Sequence, residues 1–352
     1  MGFTDLGDLA DPSKYQGLIN IQGRDTAVLR SQLKDMVSIR LVEQHLAAMR
    51  RDGIIGGPVH LGIGQEAISV GVSQHLRSSD MVFGTHRSHP HILALGSSIR
   101  GLFAEVLGKV TGLSRGMGGS MHLWDGPRGF YGSVPIVGGT VPLGVGAGLA
   151  SKLKGMADVA VCYLGDGAVE EGVVHESLNL ARVLDVPVLF VVENNFFSSH
   201  MHISLRQSSN TTARFSDAHN IPFEVVDGND VTVVADAADR LISQARSGNG
   251  PGFLEAVTFR WLGHVDWRED VDVGVKRSSE NLAEWRARDP ISRLERALIA
   301  TGEWSVEQGE ALRSEINEHV LASWETAMVD PWPENDALLD WVYAARSDLS
   351  DG

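Results

Sequence analysis

Apolar positions recur at helical spacing between about residues 25 and 50, at Leu29, Leu33, Met36, Ile39, Leu41, Leu46 and Met49, and predict one amphipathic helix. Farther along, residues 157–164 (ADVAVCYL) and 186–193 (VPVLFVVE) are short apolar runs closed by Gly165-Asp166-Gly167 and by Asn194-Asn195. Runs of that length without polar alternation predict strands buried on both faces. Between them, Val173, Val174, Leu178, Ala181 and Leu184 predict a helix over Glu170 to Leu184, which Pro187 prevents from continuing. Strand, helix and strand in so short a span predict a parallel βαβ unit. Further strands are expected at 223–226 and 253–259, around a helix from Val231 to Arg246 that ends at Gly248-Asn249-Gly250-Pro251. Helical spacing returns in Leu282–Arg288, Ile291–Thr301 and Val306–Met328.

The pattern predicts an α/β protein, a doubly wound, mostly parallel sheet over residues 51–276, with a helical N-terminal arm (1–50) and a helical C-terminal extension (277–352). The stretch from Gly53 to Gly148 is rich in glycine and holds scattered histidines, a composition suited to backbone that approaches a ligand. Its GVGAGLA segment (144–150) is one residue short of a dinucleotide fingerprint, no strand is expected before it, and helix packing on the sheet explains its glycines.

Composition narrows the function. The net charge of −15 over 352 residues leaves no positive field for nucleic acid, and no apolar run approaches a membrane span. The single cysteine, Cys162, lies inside an apolar run and is expected to be a packing residue. The N-terminus fits neither a secretory signal, a mitochondrial presequence nor a myristoylation site, so a soluble cytoplasmic protein is expected.

Ligands of open parallel sheets bind beyond the carboxyl ends of the strands, where this chain has Gly-Asp-Gly and Asn-Asn. Asp166 and Asn195 are 29 positions apart, the length of a βαβ crossover, so one carboxylate and one amide oxygen can reach a common point. Such oxygen donors suit Mg²⁺ or Ca²⁺, and the backbone of Gly167 and Ala168 can face a phosphate on that cation. His86, His89 and His91 are close in sequence, but the cysteine or closed four-ligand set of a structural zinc site is lacking. Histidines near such a site can instead move protons, whereas His91, His122 and His175 are expected to pack or hydrogen bond.

The segment GDGAVEEGVVHESLNLARVLDVPVLFVVENN (165–195) resembles the thiamin diphosphate signature, in the form carried by alpha subunits of 2-oxo acid dehydrogenases. GPVHLGIGQEA (57–67), FGTHRSHPH (83–91), GMGGSMHL (116–123), PIVGGTVPLGVGAGLA (135–150) and FRWLGH (259–264) agree in order, and the resemblance spans roughly residues 30–295. The GPVHL and THRSHPH forms most resemble acetoin dehydrogenase-type alpha chains. The resemblance implies the thiamin diphosphate-binding fold. It makes Asp166, Asn195 and the carbonyl of Phe197 ligands of Mg²⁺, gives the diphosphate to Arg87, Arg260 and His264, and adds His86, Gly165, Gly167 and Ala168 to the cofactor-binding residues. It sets main-chain atoms of Val137 against the aminopyrimidine ring, makes His60 and His264 the catalytic histidines, and puts His89 in the substrate mouth. Pro135, the Phe196-Phe197-Ser198-Ser199 loop and Leu262 depart from the family pattern, and Val265 stands where mitochondrial relatives carry a phosphorylatable serine.

The implied reaction cleaves a 2-oxo acid or acetoin and passes the acyl group to a lipoyl group on an acyltransferase component. The implied partner is a beta subunit that supplies the activating glutamate, in a heterotetramer of two alpha and two beta chains. Two other readings stand beside it: an acyloin-forming carboligase with the same cofactor, and a non-catalytic scaffold. Retention of Asp166, Asn195, Arg87 and Arg260 together argues against the scaffold.

Overall fold

The computed structural model describes residues 5–271 and 277–337; residues 338–352 of the expected C-terminal extension lie outside these. The chain runs through α1 (Thr26–Arg51), α2 (Glu66–Ser73), β1 (Met81–Gly84), α3 (His89–Ala94), α4 (Ile99–Val106), β2 (Phe130–Ser133), α5 (Val141–Leu153) and β3 (Ala160–Gly165). It continues with α6 (Gly172–Val183), β4 (Val188–Asn194), a small hairpin of β5 (Phe197–Ser198) and β6 (Met201–His202), α7 (Ala213–Ala218) and β7 (Phe223–Asp227). Then come α8 (Val231–Arg246), β8 (Gly252–Val257), α9 (Ser279–Ala287), α10 (Pro290–Ala300) and α11 (Val306–Val329). Six strands form one sheet in the order β2-β1-β3-β4-β8-β7, every neighbouring pair parallel. Among the described residues no helix is long and apolar enough to cross a membrane.

The two apolar runs are strands because each has a core on both sides. Val161 and Tyr163 of β3 and Leu189 and Val191 of β4 enter a cluster with Leu33, Met36 and Leu46 of α1 and with Leu294, Leu298 and Trp324 of the C-terminal helices. Their alternate neighbours Ala160, Cys162, Leu164, Val188, Phe190 and Val192 enter a second cluster with Val145 of α5 and Val174 and Leu178 of α6. A period of two with both faces apolar leaves no polar alternation to read. Cys162 is fully buried, and burial pushes its thiol up to about 12, so it packs.

In α5 the glycines bring the helix against the sheet. A Cβ on Gly144 would lie 2.1 Å from Cys162 Sγ, and one on Gly148 would lie 2.8 Å from Val186 Cγ1. The expected packing role therefore holds, but the expectation that no strand comes before it does not: β2 ends at Ser133, eight positions before α5 begins. Both β1 and β2 have four residues, too short to show a period.

This topology fixes where a ligand can bind. From β1 the chain moves to β2 on one side, and from β3 it moves to β4 on the other. The loops therefore diverge between β1 and β3 and leave a crevice at the carboxyl ends of those strands.

Candidate active site

A cleft of about 200 Å³ occupies that crevice. It is lined by His86 and Arg87 after β1, Gly165, Asp166, Gly167 and Ala168 at the end of β3 and just beyond it, Asn195 and Phe197 after β4, Val137 before α5, and His264 after β8. Of the residues singled out in the sequence, His60 and Arg260 stand behind this lining; the His60 ring packs on His86 and His264.

One wall presents oxygen donors. Asp166 is 1% exposed; burial pushes its carboxyl up, and Arg206, which hydrogen bonds to it, opposes that push. The Oδ1 of Asn195 accepts from the Phe197 backbone N–H at 3.2 Å, and its Nδ2 donates to Gln65 Oε1 at 3.1 Å. An amide oxygen keeps a second lone pair after such a bond. Phe196 between them has φ +67°, a left-handed conformation that turns the chain sharply out of β4. A Cβ on Gly167 would lie 2.5 Å from Ser198 Oγ, so glycine lets this loop close against the end of β3. A 3₁₀ turn, Ala168–Glu170, intervenes before α6, so the helix starts two positions later than expected.

The other wall is cationic. Arg87 donates to Leu61 O at 2.6 Å and to His264 O at 3.2 Å; burial lowers its pKa, and Glu43 and Glu193 oppose the shift. Arg260 donates to Leu262 O at 3.1 Å and Ser199 O at 2.5 Å, while its Nε is buried without a partner among the described residues. Burial, Arg87 and Arg277 hold Arg260 well below the ordinary arginine range. Both guanidiniums are held by neutral carbonyls, so each keeps a positive charge for something else.

Beside them His60, His86 and His264 form a triangle with ring centroids 4.7, 5.0 and 5.3 Å apart and ligand nitrogens within 4.8 Å of one another. Burial first, then Arg87, lowers them to about 3, 2 and 3 respectively. Three imidazoles could ligate zinc, but the positive field of Arg87 and Arg260, which adds to burial in keeping them neutral, also repels a metal cation and favours an anion.

The remaining histidines separate. His89 is not in the mouth: it is fully buried, with Nδ1 2.7 Å from Glu43 Oε1 and Nε2 2.9 Å from Ser120 Oγ. The order serine, histidine, carboxylate resembles a nucleophile relay, but Ser120 is itself buried, and the chain of bonds ties α1 to the segment carrying His86 and Arg87. His91 stacks on Tyr163 at 3.8 Å and lies 3.2 Å from Glu193 Oε1. His122 bonds Gly118 O at 3.1 Å, His175 packs edge-on to Phe215, His200 lies 3.2 Å from Asp270 and His202 lies 2.9 Å from Ser204 Oγ. Sequence reasoning passed over Gln65, Glu193, Glu170 and Arg206; Gln65 lies inside a quoted motif, whereas nothing in the spacing marks Arg206.

The arrangement can hold a hard cation against one wall and an anionic group against the other. Residues 33–335 match the model of the dehydrogenase E1 component family. The chain is 36% identical over 314 residues to the alpha subunit of acetoin:2,6-dichlorophenolindophenol oxidoreductase of Bacillus subtilis, covering 88% of this chain and 92% of the relative. It is 36% identical over 302 residues to the pyruvate dehydrogenase E1 component subunit alpha of Rhizobium meliloti, covering 86% of each. With the acetoin:2,6-dichlorophenolindophenol oxidoreductase alpha subunit of Cupriavidus necator it shares 34% over 322 residues, 91% of this chain and 96% of the relative. A match over most of the chain, on a parallel sheet whose cleft lies at the topological switch, assigns this protein to the dehydrogenase E1 component family.

Proposed function

We propose that the chain is the alpha subunit of a thiamin diphosphate- and Mg²⁺-dependent 2-oxo acid or acetoin dehydrogenase, working in the cytoplasm and passing an acyl group to a lipoyl acceptor. The observation that carries this reading is the two-walled cleft, with Asp166 and Asn195 opposite a buried Arg87 that no carboxylate pairs among the described residues. The orphaned Nε of Arg260 adds to it, because a buried donor without a partner is costly unless an anion field compensates it.

In this reading Asp166, Asn195 and the carbonyl of Phe197 hold Mg²⁺, whose preference for oxygen matches that donor set. The diphosphate is held by the metal, by the backbone of Gly165, Gly167 and Ala168, and by Arg87, Arg260, His86 and His264. Main-chain atoms at Val137 orient the aminopyrimidine. Thiamin diphosphate, when bound, supplies a nucleophilic carbon for a 2-oxo group and a sink for the charge left when the adjacent bond breaks. Imidazoles at His60 and His264, kept neutral by burial and by Arg87, would take or return protons at their ring nitrogens.

A beta subunit is expected to complete the site with the activating glutamate, in a heterotetramer of two alpha and two beta chains. Ile136 and Val137, which line the cleft, are exposed apolar side chains that such a partner would cover. The second reading, an acyloin-forming carboligase, draws on Phe197, Ser198 and Ser199, which line the cleft where the sequence departs from its relatives. The test is turnover of 2-oxo acids and acetoin by the chain co-expressed with its beta partner, with thiamin diphosphate and Mg²⁺. Reduction of an artificial electron acceptor supports the dehydrogenase; carboligation products without it move the protein to the second reading.

A further inference from the structure

Arg206 lies beneath the oxygen-donor wall, with its side chain only 7% exposed. One Nη reaches Asp166 Oδ2, the other reaches Glu170 Oε1, and Nε donates to Met201 O at 3.2 Å. The next residue reinforces the arrangement: Gln207 Nε2 donates to Asp166 O at 3.0 Å and to Glu170 Oε1 at 2.7 Å. One arginine therefore divides its charge between the fully buried carboxylate that faces the cleft and a second, 31% exposed carboxylate that does not line it.

We propose that Arg206 and Glu170 set the affinity of Asp166 for its cation: Arg206 shares one oxygen of Asp166 and weakens its hold on a metal, while Glu170 draws part of the arginine's charge away and restores it. The inference rests on the cation-site reading above. Its physical basis is that two cations compete for one carboxylate. In a buried setting Arg206 at Oδ2 is close enough to reduce the attraction felt at Oδ1, and a carboxylate on the far side of the guanidinium offsets that reduction. Arg206 is a positioning residue here, acting on the metal through Asp166. It also fixes which oxygen faces the cleft, so the two roles make opposite demands on a variant. Loss of the competing charge tightens metal binding; loss of orientation alone loosens it.

The experiment titrates Mg²⁺ into the co-expressed alpha–beta protein at fixed thiamin diphosphate, reading cofactor binding by calorimetry or tryptophan quenching without turnover. The expected result for Arg206→Gln, which keeps a hydrogen-bond donor without the charge, is an Mg²⁺ requirement about tenfold lower. Glu170→Gln is expected to raise it about threefold, and Arg206→Lys to stay near wild type. A higher or unchanged requirement in Arg206→Gln, or no change in Glu170→Gln, overturns the proposal. Glu170 is partly exposed, so its variant decides the matter if Arg206→Gln fails to fold. If the wild-type protein shows no Mg²⁺-dependent cofactor binding, it is the function proposed above that fails, and the two failures are distinct.

Discussion

The two walls of the cleft are built on opposite principles. On the β3 and β4 side, the chemistry comes from short turns directly at the strand ends, and the donors are oxygens: the carboxylate of Asp166 and the amide of Asn195. On the other side, the chemistry comes from segments distant in sequence, around residues 60, 87 and 264, stitched together by Arg87 through the carbonyls of Leu61 and His264. The first wall has a compensated charge, since Arg206 bonds Asp166, and the second keeps positive charge on guanidiniums that donate to carbonyls. A cleft so polarised suits a ligand that is itself a metal cation bridged to an anion. Either half alone would be an ordinary buried ion pair or an ordinary arginine staple.

Removing a charge from each wall in turn is the sharpest way to break this contrast. The largest effect is expected from Asp166→Ala, which removes the charged oxygen donor. Thiamin diphosphate binding by the alpha–beta protein should weaken about a hundredfold or more, and added Mg²⁺ should no longer strengthen it in calorimetry. Arg87→Gln should cost about ten- to a hundredfold in cofactor affinity, with the Mg²⁺ dependence of what remains unchanged. It should also lower the melting temperature, because the Leu61 and His264 carbonyls lose their donor. Asn195→Ala is a smaller change on the oxygen wall. It should raise the Mg²⁺ requirement about tenfold while leaving metal-free binding nearly unaltered.

The smallest effect concerns acid stability. His60, His86 and His264 titrate at about 3, 2 and 3 in the folded protein against an ordinary 6.5, so protons bind the unfolded chain more readily. The stability contributed by keeping them neutral is complete above about pH 6.5 and is lost as the pH falls toward 3. The melting temperature should decline over that window, and His60→Gln should flatten the decline. An unchanged slope in that variant would place the acid sensitivity elsewhere.

Legibility in the sequence followed the same division. Asp166 and Asn195 could be read from the chain because a βαβ unit is local: an apolar strand, a helix of known period and a second strand bring its two ends together. The sheet was legible wherever strands had five to seven residues, and β1 and β2 were missed because four residues cannot display a period. The cationic wall was readable only through resemblance, since no spacing rule links His60, Arg87 and His264. Proximity in sequence misled at His89: once the chain enters α3 the ring points into the core toward Glu43, and of His86, His89 and His91 it is His86 that lines the cleft. Arg206 escaped altogether, because a charged residue in a polar loop reads as solvated until the fold shows what it covers.

The central claim is that the cleft takes a cation and an anion together, and cofactor binding tests it most directly. The wild-type alpha–beta protein should be titrated calorimetrically with thiamin diphosphate in the presence of Mg²⁺ and again with the metal chelated. Tight binding with Mg²⁺ that is largely lost under chelation is the predicted result; equal affinity under both conditions, or no binding under either, would contradict it.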